Sequence, residues 1–123
     1  EDWQRYEFLG DRVLNLIVAQ SLFTCRDGGL NEGEMTRRLS SIVSNRALDA
    51  LTQPHQKTFT CLIPSVIGEQ NAYGERITGG AFEAFVGALY CEVGLDDVAY
   101  FVTTLMGEAP GKFNPEENAI GQL

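Results

Sequence analysis

The longest amphipathic stretch lies at the start of the chain. Its apolar positions are Leu9, Val13, Leu14, Leu16, Ile17 and Val18. Their spacing predicts a helix over residues 2–23, and the apolar face is wide enough for a helix buried between neighbours. Gly10 lies inside this helix, where glycine costs about 1 kcal/mol relative to alanine. We therefore expect another helix to cross at Gly10.

A second strongly apolar stretch predicts a helix from near Thr78 to Val93. Its helical stripe consists of Phe82, Phe85, Val86, Leu89 and Tyr90. Gly94 follows at the position where a glycine commonly ends a helix. Gly87, inside the stretch, permits close contact with a second helix.

Shorter helices are predicted between these two. Asn31 and Glu34 have the spacing of a capping box and begin a helix with the apolar stripe Met35, Leu39, Ile42 and Val43. Ser44 or Asn45 caps the next helix, whose apolar positions are Ala47, Leu48 and Leu51. Pro54 prevents that helix from extending much further.

The remaining segments are less regular. Residues 26–29 read as a turn, 58–63 as a short strand-like segment, 64–68 as a short helix and 69–76 as an exposed loop.

The last predicted helix is capped by Asp96 or Asp97, contains Val98, Phe101, Val102 and Leu105, and ends at Gly107. The expected organisation is an all-α domain over residues 1–107 with two buried central helices, followed by a tail or linker over residues 108–123.

Composition supports this class. The chain has 123 residues, of which 44% are hydrophobic and 21% charged, as in an ordinary globular domain. No apolar run approaches the roughly 18 residues of a membrane span, and no leader for export is recognisable. We therefore expect no membrane partner.

The three cysteines do not form a recognisable metal or disulfide framework. Cys25, Cys61 and Cys91 are scattered, and His55 is the only histidine. This spacing does not offer a Cys/His zinc site. A nucleophilic Cys61–His55 pair is the alternative to buried, reduced thiols in an intracellular protein.

Three acids are set into the two most apolar helices. Glu7 and Asp11 project from the same face of the first helix, one turn apart, and Glu83 lies in the second. If the helices cross near Gly10, the three carboxylates converge and suit a hard cation such as Mg²⁺ or Mn²⁺. The alternative is a pair of solvated acids on a surface helix. The formal net charge of −8 argues against nonspecific nucleic-acid binding unless bound cations reverse it locally.

Four sequence motifs follow one another between about residues 4 and 94. They are YEFLGDRVL at 6–14, EGEMT at 32–36, VSNRAL at 43–48 and AFEAFVGALY at 81–90, with Gly68-Glu69 between the last two. In this order and spacing they resemble the motifs of ribonuclease III domains. The resemblance implies an all-α endonuclease domain. Such a domain cleaves double-stranded RNA with a divalent metal, Mg²⁺ or alternatively Mn²⁺, as a cytoplasmic homodimer. It leaves 5′ phosphates and short 3′ overhangs.

The resemblance also implies roles for individual residues. Glu7, Asp11 and Glu83 match metal-binding catalytic acids, whereas a fourth ligand, an Asp in the family, falls on Gly80. A further family acid falls on Gln4. Accessory roles are implied for Gln4 and for Glu32, whose other explanation is the favourable charge it places in the first turn of a helix.

Phe8 matches an aromatic residue that inserts into the partner subunit, with an intramolecular core position as the alternative. Arg37, Arg38 and Arg46 are candidate contacts to RNA phosphates or, alternatively, solvated or ion-paired side chains. Residues 118–123 faintly resemble the first helix of a double-stranded-RNA-binding domain.

Gly80 leaves more than one functional hypothesis. The chain is either a ribonuclease III whose site tolerates the missing carboxylate, or a catalytically impaired domain that dimerises and binds RNA without cutting it efficiently. An unrelated third hypothesis is a helical domain with only a structural role.

Overall fold

The computed structural model describes residues 2–24, 29–67 and 77–108, with the backbone alone for residues 64–67 and 108. Its elements are α1 Asp2–Phe23, α2 Glu32–Ile42, α3 Asn45–Thr52, a 3-10 turn Gln53–His55, α4 Gln56–Ile67, α5 Gly79–Val93 and α6 Leu95–Glu108. The described segments contain no strand, which confirms the all-α prediction. The predicted turn at 26–29 (apart from Gly29), the loop at 69–76 and the tail from residue 109 lie outside the described residues.

The α1–α5 pair forms the centre of the domain. A side chain on Gly10 would overlap the carbonyl oxygen of Glu83, and one on Gly87 would overlap the carbonyl oxygen of Tyr6. The two backbones therefore touch where each helix has a glycine, which confirms the crossing predicted at Gly10.

The other helices surround this pair. Side chains of α1 and α5 that are almost inaccessible to solvent include Leu14, Val18, Leu22, Phe82 and Val86. Phe59 of α4 packs its ring against Phe82 and Phe85, with centroids 5.8 and 5.7 Å apart. Phe85 also meets Phe101 of α6, at 5.8 Å. One continuous core results.

Most predicted helix ends are confirmed. Asn31 and Glu34 form both hydrogen bonds of the capping box. Ser44, rather than Asn45, caps α3 by accepting from the Ala47 amide at 3.1 Å. Gly94 ends α5 with φ of +88°, a conformation in which a side chain would be strained.

The strand-like prediction for residues 58–63 is wrong, because this segment belongs to α4. Phe59 and Ile63 lie one helical turn apart, and both are buried, at 2% and 0% exposure. Packing of these side chains in the core outweighs the β propensity of the short segment. The helix predicted after Pro64 is the continuation of α4 as far as Ile67.

Two smaller predictions are also wrong. Asp96 and Asp97 do not cap α6, because the helix already begins at Leu95 and both acids lie in its first turn. Leu16 belongs to the predicted apolar stripe of α1, yet it is 51% exposed, since the other described helices leave that side of α1 uncovered.

None of the described helices combines the length and hydropathy needed to cross a membrane.

We expect Gly10→Ala to lower the free energy of unfolding by about 3 kcal/mol, because the added methyl group forces apart a packed helix pair. Gly33→Ala is the control: an added Cβ at this exposed α2 position would lie 3.5 and 3.6 Å from its nearest neighbours. Its effect should stay within about 1 kcal/mol. Chemical denaturation measures both changes, and similar small effects would contradict the proposed backbone contact.

Candidate functional site

The α1–α5 crossing brings together the three acids singled out in the sequence. Glu7 and Asp11 lie on α1 on either side of Gly10, and the backbone of Glu83 contacts Gly10 directly. The Glu83 side chain is only 7% exposed, and it forms a hydrogen bond with Asp11. The glycine contact therefore brings a buried carboxyl group close to two partly buried ones.

Burial is the largest cause of the raised pKa values of Glu83 and Glu7. Together with the hydrogen bond to Asp11 and the charges of Asp11 and Glu7, it raises the pKa of Glu83 to about 8. Burial and the charge of Asp11 also raise the pKa of Glu7. The raised pKa favours the protonated form of Glu83 at neutral pH, with its carboxyl group within hydrogen-bonding reach of Asp11.

Asp11 has two further partners, which sequence reasoning did not identify. Arg12 Nη1 lies 2.6 Å from Asp11 Oδ2, and Asn15 Nδ2 donates to Asp11 Oδ1 at 3.4 Å and to its backbone oxygen at 2.7 Å. The Arg12 guanidinium also lies 4.4 Å from the centre of the Phe8 ring. The spacing of Asp11 and Asn15, four residues apart on a helix, was the available signal for one of these contacts.

Gly80 lies beside the acids. A Cβ added to Gly80 would be 2.9 Å from Glu7 Oε2 and 3.4 Å from Glu7 Cδ. The nearest obstacle is thus the end of a flexible side chain, so a Cβ at this position needs only a small shift of Glu7. A side chain at position 80 would enter the acidic group.

The donor types suit a hard divalent cation, because all three side chains offer carboxylate oxygens. Within the described segments, however, no three His, Cys, Asp or Glu side chains are arranged to hold a metal ion. The Asp11 carboxylate is already engaged in this structure, by the Glu83 carboxyl group and by Arg12 Nη1 at 2.6 Å from Oδ2.

The other candidate residues are separate from the three acids. Gln4, Glu32, Arg37 and Arg46 are exposed and Arg38 is partly buried. In the part of the chain that the structure describes, no hydrogen bond or ion pair joins any of them to Glu7, Asp11 or Glu83. Their accessory and RNA-binding roles remain predictions.

Phe8 is 62% exposed, so the alternative of an intramolecular core position is wrong. It lines an open cleft whose other residues are Asp2, Gln4, Arg5, Tyr6, Leu9 and Cys91.

The cysteine prediction is partly wrong. Cys61 and Cys91 are free thiols but exposed, and Cys25 lies outside the described residues. No hydrogen bond joins Cys61 to His55 in the described structure, where the His55 ring packs instead against Phe59 with a centroid separation of 6.0 Å. The contacts therefore give the nucleophilic pair no support.

Comparisons with known proteins agree with the motif analysis. The model of the ribonuclease III domain matches residues 4–94. Ribonuclease 3 of Bacillus velezensis is 39% identical over 111 residues, which cover 83% of this chain and 41% of the relative. Ribonuclease 3 of Leptospira interrogans is 35% identical over 111 residues, covering 88% and 44%. The chain thus spans about two fifths of the length of these relatives. No solved structure gave a significant match.

We expect the metal-free chain to lose stability as the pH rises from about 4.5 to about 8. The pKa of Glu83 is about 8 in the folded chain against an ordinary value of 4.5, so between these values the folded state binds the additional proton. The contribution of Glu83 to the free energy of unfolding is fully present below about pH 4.5. Above that pH it declines by at most about 1.4 kcal/mol per pH unit.

Denaturation in the presence of a chelator measures this slope. Glu83→Gln should flatten it, whereas Glu92→Gln, at an exposed position on the same helix, should leave it unchanged. An equal slope in wild type and Glu83→Gln would contradict the assignment of the proton to Glu83.

Proposed function

Since the chain belongs to the ribonuclease III family, we propose that it is the catalytic domain of an endoribonuclease that cleaves double-stranded RNA with a divalent metal ion. The observation that carries the proposal is the meeting of Glu7, Asp11 and Glu83 at the α1–α5 glycine contact. These are the acids that match the family's metal ligands. The expected products have 5′ phosphates and short 3′ overhangs, and the expected location is the cytoplasm.

Glu7, Asp11 and Glu83 would hold Mg²⁺, or alternatively Mn²⁺. The ion would neutralise charge that develops on the phosphate and on the leaving 3′ oxygen. Asp11 and Glu83 would both bind the ion as carboxylates, so binding would displace the proton of Glu83. Arg12 stays on the same helix surface beside Phe8, where its positive charge is available to an RNA phosphate.

RNA binding is proposed to involve α2 and α3. Arg37 and Arg38 lie on α2 and Arg46 on α3, at positions accessible in whole or part. Contacts from these side chains to phosphates would follow the A-form shape of the duplex rather than its sequence. Because the formal net charge is −8, affinity depends on such local positive charge and should fall steeply with salt.

The active form is proposed to be a homodimer. Ribonuclease III proteins generally act as dimers, and Phe8 offers a large aromatic side chain that this chain leaves uncovered. Insertion of Phe8 into a second copy would bury it and place a second acidic centre on the opposite RNA strand.

Gly80 favours a second candidate function, a dimeric RNA-binding domain with impaired catalysis. The position faces Glu7, yet glycine contributes no ligand oxygen. Cleavage assays separate these two functions from each other and from a purely structural helical domain.

We expect the chain to cleave long duplex RNA into discrete short duplexes in the presence of Mg²⁺ or Mn²⁺. Glu83→Gln should abolish cleavage, because the amide replaces a buried ligand carboxylate, and Glu92→Gln should retain it. Gel analysis with labelled 5′ ends measures products and end chemistry. Absence of cleavage with both metals, together with retained duplex binding, would favour the impaired domain. Cleavage that survives Glu83→Gln would refute the proposed site.

We expect Gly80→Asp to increase the cleavage rate by about tenfold or more, equivalent to about 1.4 kcal/mol of transition-state stabilisation. The new carboxylate would enter the acidic group beside Glu7. Gly80→Asn is the matched control, because it fills similar space with an uncharged amide. Single-turnover rates at saturating metal measure the effect. No gain in a folded Gly80→Asp variant would show that Gly80 does not limit the site.

A further inference from the structure

The chain entering α5 is fastened to α3 and α4 by hydrogen bonds that lie outside the acidic group. Asp49 Oδ1 accepts from the backbone amide of Gly79 at 2.6 Å. Gln56 uses both ends of its amide on Ile77: Nε2 donates to the carbonyl oxygen at 2.8 Å, and Oε1 accepts from the N–H at 2.8 Å. Thr52 Oγ1 also lies 3.2 Å from the Ile77 oxygen. Asp49, Thr52 and Gln56 are called the α5 latch below.

The latch is shielded from solvent in part, because Asp49 and Gln56 are partly buried whereas Thr52 and its partner Ile77 are buried. Thr52 is 0% exposed and Ile77 is 3% exposed, so water competes little for their hydrogen bonds. Gly79 packs closely on α3, where an added Cβ would be 2.9 Å from the Leu48 Cβ. The start of α5 is therefore fixed against α3 by backbone contact as well as by side chains.

The sequence of the first turn of α5 explains why such a fastening matters. The turn begins with Gly79 and Gly80, and glycine is the poorest helix former after proline. Its own cap is the Thr78 hydroxyl, which accepts from the Ala81 amide at 3.3 Å. Without the latch, fraying of this turn would displace Gly80 and loosen Glu83, which lies one turn further along.

The glycine contact lies beyond the first turn of α5. Gly10 meets the backbone of Glu83 and Gly87, whereas the latch holds Ile77 and Gly79 at the start of the helix. Gly80 lies between these two places. Core packing fixes the body of α5, and the latch adds hydrogen bonds at the end of the helix from which Gly80 and Glu83 follow.

We propose that Asp49 and Gln56 are positioning residues of the acidic site, which hold the first turn of α5 so that Glu83 can join Glu7 and Asp11 around a divalent cation. This inference rests on the proposed function, since it assigns the latch a role in metal binding beyond stability.

The test measures Mn²⁺ affinity and site-resolved amide exchange on the full 123-residue chain. Free Mn²⁺ is followed by electron paramagnetic resonance. Exchange is followed at the amide of Phe82, which is hydrogen-bonded to the Thr78 oxygen at 2.9 Å. Asp49→Ala removes the acceptor for Gly79, whereas Asp49→Asn retains a carbonyl oxygen at the same place. Leu22→Ala is the stability control, at a buried α1 position about three turns from Asp11.

We expect Asp49→Ala to weaken Mn²⁺ binding about tenfold, the lower end of the range for loss of a residue that orients a metal ligand, and to speed exchange at Phe82 relative to the α1 amides. Asp49→Asn should restore both to near the wild-type values. Gln56→Met, which loses both hydrogen bonds to Ile77, should act like Asp49→Ala. Leu22→Ala should change Mn²⁺ affinity less than about twofold while the chain remains folded, because it leaves the outer-shell partners intact.

Unchanged Mn²⁺ affinity in Asp49→Ala would overturn the inference, as would equal weakening in Leu22→Ala or failure of Asp49→Asn to restore binding. Failure of the proposed function has a different signature. In that case the wild-type chain binds no Mn²⁺ at any concentration tested, and the positioning role falls with it.

Discussion

The close approach of two glycines is the constraint on which the rest of the structure depends. Gly10 and Gly87 let the backbones of α1 and α5 touch, so that the Glu83 carbonyl occupies space that any side chain on Gly10 would need. The shared core of the domain forms around this pair. The same contact accounts for the burial of Glu83, because a carboxyl group on a helix this close to its neighbour has little access to water.

Burial and mutual repulsion make the three acids a costly feature that packing alone would not favour. The raised pKa of Glu83 favours its neutral form, which avoids burying a negative charge. The negative charge of Asp11 is stabilised by Arg12 and Asn15. The site therefore holds less negative charge at neutral pH than its composition indicates.

The sequence predicted the structure best where a pattern was compatible with only one local structure. The bounds of α1 and the crossing at Gly10 follow from helical spacing and from a glycine that propensity disfavours. Residues 58–63 were ambiguous because a short apolar segment fits either period, and only packing on α5 decides between them. The exposure of Leu16 depends on which side of α1 other helices leave uncovered. The latch could not be foreseen, because its partners are backbone groups 21 to 30 residues away.

Arg12 contacts both the exposed Phe8 and the acidic group. Its guanidinium contacts the Phe8 ring on one side and the Asp11 carboxylate on the other. At present water screens this ion pair, since the Arg12 side chain is 61% exposed. Any molecule that covers Phe8 also removes water from Arg12, and Coulomb attraction grows as the local dielectric constant falls. Contact at the aromatic surface and the charge balance of the acidic site are thus coupled through the solvation of a single side chain.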